Sequence, residues 1–220
     1  MNSMRDKFKV RGRVEITVSR GTPQITPGKL LFINKLSNKP IYDSIGIHVD
    51  PSKLISHETL ENIVVNKGKD IVIEGLTTGN IDLIARMAIG DRGTIPSDST
   101  VPKVPTSNLD VLYNEVYRAD VDFFSLNTGG LVHEVEFVRT FSALDISITA
   151  FSNQANPVVN EVGLITADVI TGVALPRPAV ESPASPDADE QLFALRTFKS
   201  VPFESANEIS VTIRYTIFIE

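Results

Sequence analysis

The last thirteen residues, EISVTIRYTIFIE, constrain the fold more than any other stretch. Ile209, Val211, Ile213, Tyr215, Ile217 and Ile219 alternate with Ser210, Thr212, Arg214, Thr216, Phe218 and Glu220. Side chains of a strand point to opposite faces with a period of two, so this alternation predicts a half-buried β-strand with the aliphatic set inward. The same pattern recurs in LDISITAFS, with Leu144, Ile146, Ile148 and Ala150 on one face. In VHEVEFV, Val135 and Phe137 alternate with Glu134 and Glu136, and in RVEITVS, Val14, Ile16 and Val18 share a side. KLLFINKLS, IYDSIGIHV, EVGLITADVI and QLFALRTFKSV read as further short strands, bounded by turn residues such as TPG and NKP. Helix signals are few. One short helix is predicted over Gly68–Leu76 and a second over Leu109–Tyr117, with Ser52 or Ser56 as a candidate cap of a helical turn. The expected architecture is mainly β: an antiparallel β-sandwich with one or two short helices and long loops.

A chain of 220 residues with 42% hydrophobic residues can bury one sizeable core, and no shift in composition demands a second domain. We therefore expect a single domain over residues 1–220. Residues 1–12 carry Arg5, Lys7, Lys9 and Arg11, followed by Arg13, and read as a flexible basic arm. Residues 175–190, LPRPAVESPASPDADE, carry Pro176, Pro178, Pro183 and Pro186 and an acidic end. Proline lacks a backbone donor and fixes φ, so this stretch is expected to be a loop. The stretch from Gly93 to Asn108 is a second long connector. Long loops of this kind suit either reaching elements ordered by a neighbouring subunit or plainly flexible surface.

The net charge of −6 opposes binding of polyanions, so nucleic acid is not an expected partner. The absence of cysteine removes disulfides, thiolate nucleophiles and thiolate metal sites. The first residues are charged and contain no apolar run of a secretory signal, and no apolar stretch is long enough to span a bilayer. His48, His57 and His133 lack metal-ligand spacing and are expected to be structural or exposed. No serine sits in a GxSxG turn. Gly90-Asp91-Arg92-Gly93 lacks the pattern of a phosphate-binding loop, and its two glycines are expected to supply positive φ in a turn after a strand. We expect no catalytic residue, no cofactor and no metal. A glycan-binding β-sandwich is the alternative reading, but such modules stack sugars on Trp or Tyr, and the chain has no Trp and four Tyr.

Several segments together resemble the tail-fibre-related and baseplate-associated proteins of tailed bacteriophages. ENIVVNKGKDIVIEGL resembles an N-x-V-V-N-x-G stretch of that family. IARMAIGDRGT stands where the family has an A-I-G-x-G turn, with Arg92 beside the second glycine. SNLDVLYNEVYRADV resembles T-x-L-x-x-E-x-x-R through Leu112, Glu115 and Arg118, and NEVGLITAD resembles N-E-x-G-L. LRTFKSVPF and ISVTIRYTIFIE match the closing pattern. The ordered set runs from Asn62 to the C-terminus.

The resemblance implies a structural virion protein: an adaptor at the tail baseplate or a fibre-attachment collar, with the neck as an alternative position. The chain closes at Glu220 without a fibre shaft, which points to an attachment-type domain. Implied partners are other virion proteins and further copies of the chain, and the implied location is the virion, after synthesis in the host cytoplasm. The implied brace residues are Glu115, Arg118 and Glu161, with Glu115 and Arg118 paired on a helix and Arg118 reaching Glu161. The assembly arms are expected at Arg5, Lys7, Lys9 and Arg11 and at Pro178, Pro183 and Pro186.

Overall fold

A computed structural model describes residues 9–34, 38–78, 83–129, 132–142, 157–167, 191–203 and 208–219. The protein is mainly β. Its first half comprises β1 (Val10–Arg20), β2 (Gln24–Pro27), β3 (Leu30–Ile33), β4 (Pro40–Tyr42), β5 (Ile45–His48), β6 (Leu54–Val64) and the helix α1 (Asn66–Thr78). Then come β7 (Leu83–Gly90), β8 (Thr94–Ile95), β9 (Asp98–Pro102), β10 (Glu115–Asp120), β11 (Phe123–Asn127) and β12 (His133–Ser142). The last strands are β13 (Val158–Ala167), β14 (Leu192–Pro202) and β15 (Ile209–Ile219).

Among the described residues, eleven strands hydrogen-bond in the order β10-β7-β13-β14-β6-β1-β15-β12-β11-β4-β3, and β2-β5 and β8-β9 form separate pairs. The expected β content is met, and the sheet is mixed rather than purely antiparallel. β11 and β4 run parallel, and the strands form one continuous sheet. Its two lobes are joined by a narrow seam, where Ile63 and Val64 of β6 pair with Leu195 and Ala194 of β14. The sheet curls until the lobes share one core. Tyr117 of β10 meets Phe141 of β12 edge to face at 6.1 Å, although the two strands stand seven places apart in the order. Val14, Ile16, Phe141, Val162, Leu164, Phe198, Ile213 and Tyr215 fill the space between.

The C-terminal alternation appears as β15, paired with β1 and β12 along its length. Its second face is not exposed: Ser210, Thr212 and Thr216 are buried as well as the aliphatic set. Arg214 on that face pairs with Glu15 at 3.2 Å and donates to the Ile45 carbonyl of β5 at 2.5 Å. The Thr140 and Thr212 hydroxyls bond at 2.9 Å, and Ser125 donates to Glu136 at 2.8 Å. Alternation shows that a strand has two faces; it does not show that a second layer covers the polar one.

The first expected helix is α1, which extends two residues beyond the expected span at each end. The second does not form, because Glu115–Asp120 is a strand. Ser52 lies in the turn before β6 and Ser56 within β6, so neither caps a helix. The Gly93–Asn108 connector is ordered within its own chain. It contains the β8-β9 hairpin, its Lys103 carbonyl accepts from Thr197 Oγ1 at 2.5 Å, and its Ser107 carbonyl accepts from the amide of Asn66 at 2.8 Å. Val10–Gly12, expected in the basic arm, belong to β1, and Arg11 is an exposed strand residue opposite Phe218. Arg5, Lys7, Pro178, Pro183, Pro186 and the LDISITAFS strand lie outside the described residues.

Candidate functional site

The expected brace residues gather around the GDRG turn, between β7 and β8. Asn160 and Glu161 are adjacent on β13 and both are buried, at 1% and 0% exposure. Two successive strand residues normally point to opposite faces. Here the register of β13 against β14 shifts between Val159 and Glu161, which allows both polar side chains into the interior.

Glu161 holds the chain through backbone amides. Oε2 accepts from the N–H of Tyr113 at 2.8 Å, and Oε1 accepts from Asn114 at 2.8 Å and from Arg92 at 3.3 Å. Asn160 Oδ1 accepts from Gly93 at 2.6 Å, while its Nδ2 donates to the Asp91 carbonyl, Thr94 Oγ1 and Ser200 Oγ at 3.1–3.2 Å. Asn114 Nδ2 donates to Asp91 Oδ1 at 2.6 Å. The two side chains thus satisfy backbone groups of a turn and a loop that no ladder reaches.

Burial raises the Glu161 pKa above the usual carboxylate range. The amide bonds from Asn114, Tyr113 and Arg92 oppose that rise, and the nearby charge of Asp91 adds to it. Burial, followed by the charge of Glu161, also raises the Tyr113 phenol. The ammonium of Lys103 lies 4.3 Å from the centre of the Tyr113 ring and donates to the Arg92 carbonyl at 2.5 Å.

Gly90 and Gly93 serve this turn in a way the sequence did not reveal. Among the described residues the glycine with positive φ is Gly21, at 74°. A side chain on Gly90 would strike the Asn114 carbonyl and the Glu161 carboxylate, and one on Gly93 would strike the backbone carbonyl of Asn160. Glycine is needed for close approach and not for turn handedness.

Arg118 and Glu115 do pair, but on a strand. Arg118 Nη2 donates to Glu115 Oε2 at 2.6 Å and Nε donates to Oε1, with Arg118 only 1% exposed. Residues three apart on a regular strand face opposite ways. The pairing of β10 with β7 shifts between Glu115 and Tyr117, and the extra residue restores a common side. The two pairings are separate braces: Glu115 holds the Arg118 guanidinium, and Glu161 holds loop amides.

His57 Nδ1 lies 3.0 Å from Thr17 Oγ1 on the outer surface of β6, and His133 is exposed on β12. Among the described residues no group of three or more His, Cys, Asp or Glu could hold a metal ion.

Two surface features stand apart from these braces. The first is a groove of about 300 Å³ where β6 and β14 diverge beyond their seam. Ile16, Val18, Ile55, Val201, Pro202 and Ile209 supply most of its apolar lining. β6 pairs with β14 only at Ile63 and Val64, so the rest of that strand edge carries no partner among the described strands. The second is β3, whose four residues are all exposed apolar side chains. The sequence marked neither, because a short apolar run reads the same whether it is buried or exposed.

Comparison of the chain with protein-family models, with curated proteins and with solved structures finds no match.

Proposed function

We propose that the chain is a structural protein of a tailed-phage virion, an adaptor that joins neighbouring virion proteins and performs no chemistry. The carrying observation is the groove between β6 and β14. It combines an apolar lining with a strand edge that no described strand pairs with, the two elements by which a sheet takes up an extended segment of another protein. Its occupant on this reading is an apolar strand from a neighbouring virion protein, with alternate side chains directed at Ile55, Val201 and Ile209. The buried acid supports the same reading, since Glu161 is committed to three backbone amides. Architecturally, we read the curled sheet as a sandwich whose lobes share β6 and stay open along the groove.

The glycan-binding alternative has less support, because aliphatic side chains suit apolar peptide groups better than sugar hydroxyls. Position in the tail, at the baseplate or collar, takes precedence over the neck on the motif resemblance alone.

The test is direct. Particles purified on a density gradient from a culture producing this protein should contain it in fixed stoichiometry, and an antibody against it should label the tail. Particles that lack it, or that lose it in a salt wash without change in structure, would overturn the proposal.

A further inference from the structure

Leu30, Leu31, Phe32 and Ile33 are 49%, 44%, 48% and 54% exposed. They make up the whole of β3, the last strand at one end of the eleven-stranded order. One edge of β3 pairs with β4, through Leu30 with Tyr42, Phe32 with Ile41 and Ile33 with Pro40. No described strand pairs with its other edge. The opposite end of the sheet is closed differently: Val116, Tyr117 and Arg118 of β10 are buried. Natural sheets usually protect an open edge with a charge, a proline or a very short strand. β3 is short, but it carries neither charge nor proline. Four adjoining large apolar side chains form a patch on the order of a few hundred Å², a size that marks a contact surface.

We propose that β3 pairs antiparallel with β3 of a second copy of this chain. A two-fold axis through an antiparallel pair places one residue opposite itself; with Leu31 on the axis, Leu30 faces Phe32 of the second copy and Ile33 lies along the aliphatic stem of its Lys29. Lys29 faces Ile33 and not another lysine, so this register brings no like charges opposite each other. The two-fold pairing also closes both open edges at once, whereas a foreign extended peptide leaves its own outer edge unpaired. The patch falls short of the roughly 800 Å² per partner of a stable interface. The contact is therefore weak between two free copies and firm only where other contacts hold the copies together. This deepens the assembly role proposed above by naming the surface of self-contact; it rests on that role and not on the phage assignment.

Sedimentation velocity on the full chain tests it, from about 5 μM to about 500 μM, where an undersized interface associates. The mass of the wild type is expected to rise from 24.0 kDa towards twice that value. A Leu31→Glu/Phe32→Glu chain and a Leu31→Lys/Phe32→Lys chain should each stay monomeric, and an equal mixture of the two should recover the association. If a double variant melts early, the single Leu31→Lys variant takes its place, with loss of association still expected. A wild type that stays monomeric throughout overturns the self-pairing, and so do variants that still associate or a mixture that does not recover. A monomeric wild type found at fixed stoichiometry in purified particles would sink β3 pairing and leave the virion assignment standing.

Discussion

The turn held by Glu161 and the edge strand β3 invert the usual distribution of polarity in opposite senses. One places a carboxylate at 0% exposure in the interior; the other places four large apolar side chains on the surface. The difference lies in the partners. Glu161 finds three amides within its own chain, so its desolvation is offset locally. The residues of β3 find Tyr42, Ile41 and Pro40 on one side and nothing described on the other. The polar exception is thus completed within the chain, and the apolar exception has no partner among the described strands on its outer edge. Substitutions in the first region should change stability, and those in the second should change association.

The largest effect is expected at the closed region. Arg118→Ala removes one partner of a pair whose arginine is only 1% exposed, and it leaves the Glu115 carboxylate partly buried without its cation. The expected loss is about 3–5 kcal/mol, read from urea unfolding; a loss below about 1 kcal/mol would show that the pair is not a brace. Next comes Glu161→Ala, which strands the amides of Tyr113 and Asn114 and weakens that of Arg92. A cost of about 3 kcal/mol is expected, or about 6–12 °C in Tm for a chain of this size. Gly93→Ala should follow at about 1–3 kcal/mol, because the Asn160 backbone must move to admit a methyl group. A neutral Gly93→Ala would refute the close-approach argument.

A smaller effect should appear in pH dependence. The folded protein holds the Glu161 proton more readily than the unfolded chain, whose value is 4.5. The stability linked to that proton is fully present below pH 4.5 and is lost as pH rises through the folded pKa. The Tm of the wild type minus that of Glu161→Gln should therefore fall over this window. A flat difference, or one that rises with pH, would contradict it. The smallest effect is expected at β3, where Leu31→Lys should alter stability by less than about 0.5 kcal/mol while abolishing association.

Much of the scaffold was legible in the sequence because the alternating strands report their inward face directly. β1, β12 and β15 lie where periodicity places them, and α1 contains the short helix expected over Gly68–Leu76. Three features were not legible, each for a physical reason. The Glu115–Arg118 spacing suits a helix, and only the register shift within β10 lets a strand make the same pair. The role of Glu161 depends on amides 47, 48 and 69 positions away, which no local pattern encodes. The exposure of Leu30–Ile33 follows from the place of β3 at the end of the sheet, a property of topology and not of composition. The resemblance drew Glu115, Arg118 and Glu161 together as one brace, whereas Arg118 is held by Glu115 and Glu161 by backbone amides.

Hydrogen–deuterium exchange on the full chain, at a dilute and at a high protein concentration, tests the contrast between the two regions most directly. The account predicts that the amides of Tyr113 and Asn114 exchange slowly at both concentrations, because Glu161 accepts them within the monomer. Amides of Leu30–Ile33 that point away from β4 should exchange quickly when dilute and slow markedly when concentrated. Fast exchange at Tyr113 and Asn114, or an unchanged rate across β3 at the two concentrations, would contradict it.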